Sequence, residues 1–312
     1  MTSNIIDKTE NDIARHWGTQ TAKLHHHLDE SGLFTDENLA SLIENIPQSV
    51  SPINTMAAKG HELSSWSYCD RTGLSGLEVL EAIKRGRLWI NMQKLEEADP
   101  RFDELLNNIY QELAREIPGF IPFRKSLGLL ISSPNAQVFY HADVPGQSLW
   151  QIRGQKRIYL YPPTAPFLNA PELENIIRGV TEEEISYDPS FDEHAEIYDI
   201  EPGDMLHWEL NGPHRVENAD CLNISLTTEH WTPVIRRHFG MNYGNGILRQ
   251  EFGWAPSSRA ISGPAFWAKA ALAVAWRTIG LQQKTAFQRV MRYRVDPNAT
   301  DGITPLNAAP AE

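Results

Sequence analysis

In the segment Phe139-Tyr140-His141-Ala142-Asp143 an imidazole and a carboxylate stand two residues apart. The segment reads as a β-strand, and alternation along a strand puts residues i and i+2 on one face. Side by side, the two groups are two metal ligands that lack a third. Further along, Glu201-Pro202-Gly203-Asp204 makes a turn that feeds a strand through Trp208, and Asn211-Gly212-Pro213 turns the chain back to His214. That puts a second histidine at the start of the next strand, within reach of the first pair across a barrel. Two histidines and a carboxylate on three corners of a metal leave its other positions open, which is the Fe(II) oxygenase arrangement. Zinc or manganese suits the same ligands, so His141, Asp143 and His214 do not choose the metal.

A lysine lies close by. The run Lys156-Arg157-Ile158-Tyr159-Leu160 sets Lys156, Ile158 and Leu160 on one strand face. A cation sharing a face with two apolar residues near a metal calls for an anion. A dicarboxylate would supply it, one end chelating the metal and the far end meeting the lysine. The plainer reading is a solvated lysine at a strand start beside the Gly154 turn.

Other candidates are weaker. His207 lies before the second turn and is a lesser choice for third ligand. Glu229 and His230 follow the last strand and are placed at the mouth. His25, His26 and His27 fall inside a helix predicted over 11–30, where consecutive positions point in different directions and chelate poorly. No Gly-x-Ser-x-Gly elbow, P-loop or Gly-x-Gly-x-x-Gly occurs, so hydrolase, NTPase and dinucleotide readings lack support.

These residues need a β-rich frame, and the pattern predicts one. Strand-like runs at 126–132, 137–143, 148–153, 156–161, 197–200, 204–209, 214–217 and 222–228 are separated by Gly, Pro and Asn. That spacing implies an antiparallel sandwich or barrel over 124–232. The acidic stretch 162–196 is an insertion, and its Thr181-Glu182-Glu183-Glu184 reads as a solvated face. Ahead of the barrel, 1–123 is a helical region packing on it. Ser75 caps a helix over 75–85 that Gly86 ends, 88–92 is a strand, and Asp99-Pro100 opens a second helix. The C-terminal region, 233–312, is read as helical, with a helical pair at 266–281 and 285–293. Its stripe of Trp267, Ala271 and Val274 packs on the barrel or on a second copy in a homodimer.

Composition narrows the classes. The 312 residues are 41% hydrophobic and carry nine Trp, nine Tyr and eleven Phe, which excludes bulk disorder. Net charge is −12, so nucleic acid is not an expected partner. Two cysteines build neither a disulfide framework nor a cysteine-rich zinc site, and suit the cytoplasm. No signal peptide is seen at the N-terminus. The most apolar stretch, 265–276, is interrupted by Lys269 and falls short of the about 20 residues that span a bilayer, so no membrane is expected.

The ordered set His141-x-Asp143, Gln151-Ile152-x-Gly154-x-Lys156-Arg157, Tyr161-Pro162-Pro163, Pro202-Gly203-Asp204 and His214, ending at Trp231, resembles the JmjC-type, cupin-like 2-oxoglutarate oxygenases. Its motif order is similar to that of the asparaginyl hydroxylase that inhibits hypoxia-inducible factor, lysine spacing included. The resemblance implies a double-stranded β-helix of jelly-roll type within a mainly β fold with flanking helices. It implies Fe(II) on His141, Asp143 and His214, and 2-oxoglutarate with its distal carboxylate on Lys156. It also implies oxidative decarboxylation of 2-oxoglutarate with dioxygen, coupled to hydroxylation of an unidentified primary substrate. Three positions depart from that pattern. Val138 stands where that hydroxylase has a threonine, Gln147 where it has an asparagine, and Glu229 where it has a second asparagine. Tyr140, Ser126 and Thr227 are the expected replacements around the co-substrate. No arginine follows His214 at 224–226, as the lysine mode requires. An aromatic rim of Trp150, Trp208 and Trp231, with the insertion, is expected to select the substrate. The alternative is a non-redox metal-binding cupin, an isomerase or sugar-binding module, which would use no 2-oxoglutarate.

Overall fold

The computed structural model describes residues 4–8, 11–56, 63–282, 285 and 289–306. In chain order its strands are β1 (Ala22–His25), β2 (Ile53–Thr55), β3 (Ser67–Asp70), β4 (Leu88–Met92), β5 (Phe123–Ser132), β6 (Gln137–His141), β7 (Gly146–Arg153), β8 (Lys156–Leu160), β9 (Glu196–Ile200), β10 (Asp204–His207), β11 (His214–Asn218), β12 (Asn223–Trp231), β13 (Met291–Val295) and β14 (Ile303–Pro305). The helices are α1 (Asn11–His16), α2 (Asp36–Asn45), α3 (Gly76–Arg85), α4 (Leu95–Ala98), α5 (Pro100–Glu116), α6 (Ala170–Arg178), α7 (Pro233–Phe252) and α8 (Gly263–Thr278).

The barrel strands come from the segments whose apolar residues alternate. They form two facing antiparallel sheets, β10-β7-β12-β5 and β6-β11-β8-β9. That order is the jelly roll. Leu149, Ile158, Leu160, Ile200, Leu206, Trp208 and Val216 fill the space between the sheets. The alternate residues of the larger sheet, among them Leu127, Leu129, Ile131, Trp150 and Leu226, face outward under α2, α3 and α5. That sheet continues through β4-β2-β3-β13-β14 on one side and β1 on the other, which covers its edges.

The predicted caps form. Ser75 and Glu78 make a reciprocal capping box on α3. Asp99 caps α5, with Pro100 at its first turn.

Three stretches differ from expectation. The helix predicted over 11–30 stops at His16, and the histidine triplet lies at the end of β1 and just beyond. There, buried Ala22 and Leu24 alternate with exposed Lys23 and His25, and pairing with β10 satisfies the backbone of both. Of the helix predicted over 285–293, residues 286–288 lie outside the described ones, and from Met291 the chain is strand β13, parallel to β3. Val295 is buried there and Tyr293 half-buried, a period of two rather than 3.6. The third is the region 1–123, read as helical apart from the strand at 88–92, which also supplies β2 and β3 to the larger sheet. Helix α7, in the region read as helical, carries no amphipathic stripe because it is enclosed on several sides. Gly244 and Gly246 let it approach α8 and α6, and a Cβ at either would lie within 2.7 Å of Lys269 or 2.6 Å of Arg178. Among the described residues, no helix is long and apolar enough to cross a membrane.

Candidate metal and co-substrate site

β6 and β11 are neighbours, and their register sets His141 directly opposite His214, with an irregularity just after His214. Each imidazole donates Nδ1–H to a local carbonyl: His141 to Phe139 O at 2.8 Å, His214 to Gly212 O at 3.0 Å. Those bonds fix the tautomers and leave each Nε2 lone pair for a ligand. The ring centroids are 4.1 Å apart. Asp143, in the loop after β6, brings Oδ2 to 3.4 Å from His214 Nε2. One ligand atom from each of the three residues lies within 4.8 Å of the other two.

Asp143 is held at its backbone and at its carboxylate. Asn211 Nδ2 donates to the Asp143 backbone carbonyl at 2.6 Å. The Gln147 amide, oriented to donate, covers the carboxylate and reaches Oδ1 at 3.1 Å. Burial, and then the charge of Glu229, push the Asp143 carboxyl up to about 8, while burial drives His141 and His214 down. Among the described residues no lysine or arginine acts on Asp143. Two neutral imidazoles and a buried carboxylate without a cation are a donor set that fits a divalent metal.

Lys156 is buried on β8, facing inward with Ile158 and Leu160. Leu160 pairs with His214, and Lys156, four residues along, pairs with Asn218. The separation along the strand is about 13 Å, a span that a five-carbon dicarboxylate and the lysine's own stem fill together. Burial pulls its ammonium down to about 7, with Cys221 acting weakly the other way. Among the described residues no carboxylate pairs with it. Lys156 also lines a hollow of about 450 Å³ at the far end of the barrel.

The other expected residues divide. Gln147 joins the triad. Ser126 and Thr227 lie on the inner face, Ser126 opposite Glu229 and Thr227 opposite Gly128. A Cβ on Gly128 would stand 2.6 Å from the Thr227 hydroxyl, so the glycine makes room for it. Tyr140 faces outward, and its hydroxyl donates to Phe167 O at 2.9 Å, away from the triad. Adjacent strand residues face opposite ways, so Tyr140 faces out where His141 faces in. Trp208 stands against His214, ring centroids 4.7 Å apart. Trp150 is fully buried under the helices, bonded through Nε1 to Thr228, and does not form a rim. Trp231 is half-buried against Phe239 of α7. His207 points to the outer side of the larger sheet, stacked on Trp17 at 4.0 Å, and is not part of the triad.

Two contributors carried no usable sequence signal. Glu183 belongs to the acidic run that reads as solvated, yet its carbonyl accepts from Ala142 N at 3.2 Å. Although part of Glu183 is exposed, its carboxyl is raised to about 7, by surrounding protein and then by Asp143. Asn211 looked like an ordinary turn residue. It takes a left-handed φ of 60° and aims its amide at the loop of Asp143.

A cavity of about 630 Å³ opens beside this site. Gly146, Trp208, Asn211, His230 and Pro233 contribute to its wall. β6 ends at His141, β7 begins at Gly146, β10 ends at His207 and β11 begins at His214, so the cavity and triad share one end of the barrel.

No family model matches the sequence, and no curated protein matches it. Solved structures match in fold. One is an X-ray structure of Escherichia coli ycfD, 16% identical, with a TM-score of 0.51, covering 90% of this chain and 70% of that one. Another is the E. coli ribosomal oxygenase YcfD in complex with cobalt and 2-oxoglutarate, 15% identical, TM-score 0.50, covering 88% of this chain and 68% of that one. The likeness bears out the jelly-roll core with flanking helices.

Proposed function

We propose that this protein is an Fe(II)- and 2-oxoglutarate-dependent dioxygenase that hydroxylates a C–H bond of a protein side chain or small molecule. One observation carries the reading: a His-Asp-His donor set and a buried Lys156, with no carboxylate partner among the described residues, lie on or just after neighbouring strands β6, β11 and β8 of one sheet. The structural neighbour that holds cobalt and 2-oxoglutarate has the same fold, which supports it. So does the motif order shared with the asparaginyl hydroxylase, above all the lysine fifteen residues after the first histidine.

When bound, the metal supplies the redox chemistry with dioxygen. The rest falls to this chain. His141, Asp143 and His214 hold the ion from one side and leave the other for the co-substrate. The two backbone carbonyls hold the Nδ1–H tautomers so that each Nε2 keeps its lone pair, burial keeps the rings neutral, Asn211 holds the backbone of Asp143, and Gln147 holds its carboxylate. Lys156 neutralises the far carboxylate, and Ser126 and Thr227 offer hydroxyls on the inner face to the rest of the co-substrate shell. Leu149, Ile158, Leu160 and Leu206 keep water from the reacting centre. The primary substrate enters by the mouth cavity past Trp208.

The exposed α8 stripe of Trp267, Ala271 and Val274 supports a homodimer through this helix. The free thiols Cys69 and Cys221 support a reducing, cytoplasmic setting. The function is tested by succinate release from 2-oxoglutarate with Fe(II) and ascorbate. Metal-dependent succinate is expected, and a metal-loaded protein that leaves 2-oxoglutarate intact with every candidate substrate would favour a non-redox cupin.

A further inference from the structure

His25 and His27 play no part in the barrel site. They follow one another at i and i+2 along extended chain, so both rings turn to solvent while His26 between them is buried beside Trp150, ring centroids 5.5 Å apart. Residues 5–7 run antiparallel beside them. Asp7 N donates to His25 O at 3.0 Å and His27 N to Ile5 O at 2.9 Å, around an Ile6–His26 bridge. This pairing brings Asp7 to the same side as the two rings. Asp7 Oδ1 lies 3.0 Å from His27 Nε2, and the His25 and His27 rings meet edge to face at 5.3 Å. One ligand atom from each residue lies within 4.8 Å of the other two.

We infer that Asp7, His25 and His27 form a second divalent-metal site, on the outer edge of the larger sheet and independent of the barrel triad. Two observations beyond proximity support it. The backbone ladder fixes all three Cα positions, so little ordering is left for an ion to impose. In addition, the His25 ring is seated on Gly203, where a Cβ would come within 2.5 Å of it, so the turn holds that ring in place. Two imidazoles and one carboxylate suit zinc, cobalt, nickel or copper rather than calcium or magnesium. Asp29 and Glu30 lie near enough to act on His27 and add to the negative potential. Three protein ligands leave a position for water. An ion here would tie residues 5–7 to β1, and through β1 to the barrel edge at β10.

The test is a zinc titration by calorimetry of the full chain carrying His141→Ala and His214→Ala, which silences the barrel triad. One equivalent of Zn²⁺ is expected. His25→Ala or His27→Ala added to it should weaken binding by at least about tenfold, 1.4 kcal/mol, and Asp7→Asn should weaken it less. Zinc should also slow tryptic cleavage after Lys8 in the triad-silenced chain, and not when His27 is alanine. If the doubly substituted chain fails to fold, the wild-type chain serves instead: His25→Ala with His27→Ala should then remove one equivalent of bound zinc. Zinc binding that is absent, or unchanged by these substitutions, would overturn the site.

Discussion

Lys156→Met separates the proposed role of the lysine from its cost to the fold, because the two effects have opposite signs. In the co-substrate-free protein the ammonium is buried with no carboxylate partner among the described residues, and burial lowers its pKa from 10.5 to about 7. At 1.36 kcal/mol per pH unit this corresponds to about 5 kcal/mol of destabilisation. The whole penalty is present below pH 7, where folded and unfolded chains both carry the proton. Between 7 and 10.5 the unfolded chain binds more protons than the folded one, so stability rises with pH and the penalty fades. Lys156→Met removes the charge and keeps most of the volume. It should therefore raise urea resistance at pH 6.5 by several kcal/mol, with a smaller gain at pH 9.5. Co-substrate binding should move the other way. Removing one member of a buried ion pair costs about 3–5 kcal/mol, roughly a hundred- to several-thousand-fold in the 2-oxoglutarate Kd. Wild-type affinity should fall as pH rises above about 7, where the free lysine loses its proton, and that dependence should vanish in Lys156→Met. Lys156→Arg should rescue in part, because a planar guanidinium does not sit where a compact ammonium sat. Calorimetric titration of 2-oxoglutarate and urea unfolding at the two pH values read both effects. A Lys156→Met variant that binds 2-oxoglutarate like wild type, or that loses stability at pH 6.5, would refute the reasoning.

The metal ligands are tested by elemental analysis of Fe(II)-loaded protein: His141→Ala and His214→Ala should each remove the equivalent held by the triad, leaving at most the equivalent held by Asp7, His25 and His27, whereas Lys156→Met should keep the triad's metal. Asn211→Ala frees the loop of Asp143 and should weaken metal binding by about 10–100-fold with no change in far-UV circular dichroism. Full metal affinity in that variant would remove Asn211 from the site. For α8, light scattering at micromolar concentration should show a dimer that Trp267→Glu dissociates, and a wild-type monomer would eliminate this interface.

The strands and the triad were legible because both rest on local rules. Period-two alternation between turn residues marks β5 to β12, and the same alternation makes His141-x-Asp143 a pair. The inward direction of Lys156 follows from Ile158 and Leu160 beside it. Tyr140 sits one residue before the inward His141, so alternation itself turns it outward, a signal the sequence carried. What escaped depends on contacts distant in sequence. Trp150 looked like a rim aromatic, yet its strand face is covered by helices from the first hundred residues. Glu183 comes to the triad through the return of the insertion, and acidic runs ordinarily face water. β1 is a strand because an edge of β10 awaits it, whereas its own residues fit a helix as well. α7 is enclosed on several sides, so no stripe marks it.

The central claim is oxidative decarboxylation of 2-oxoglutarate by dioxygen at the His141–Asp143–His214 centre. Mass spectrometry of succinate formed under heavy-oxygen-labelled dioxygen tests it most directly. The Fe(II)-loaded protein should place one labelled oxygen atom in each succinate, and the His214→Ala protein should form none. Unlabelled succinate, or equal labelled succinate from the His214→Ala protein, would contradict the account.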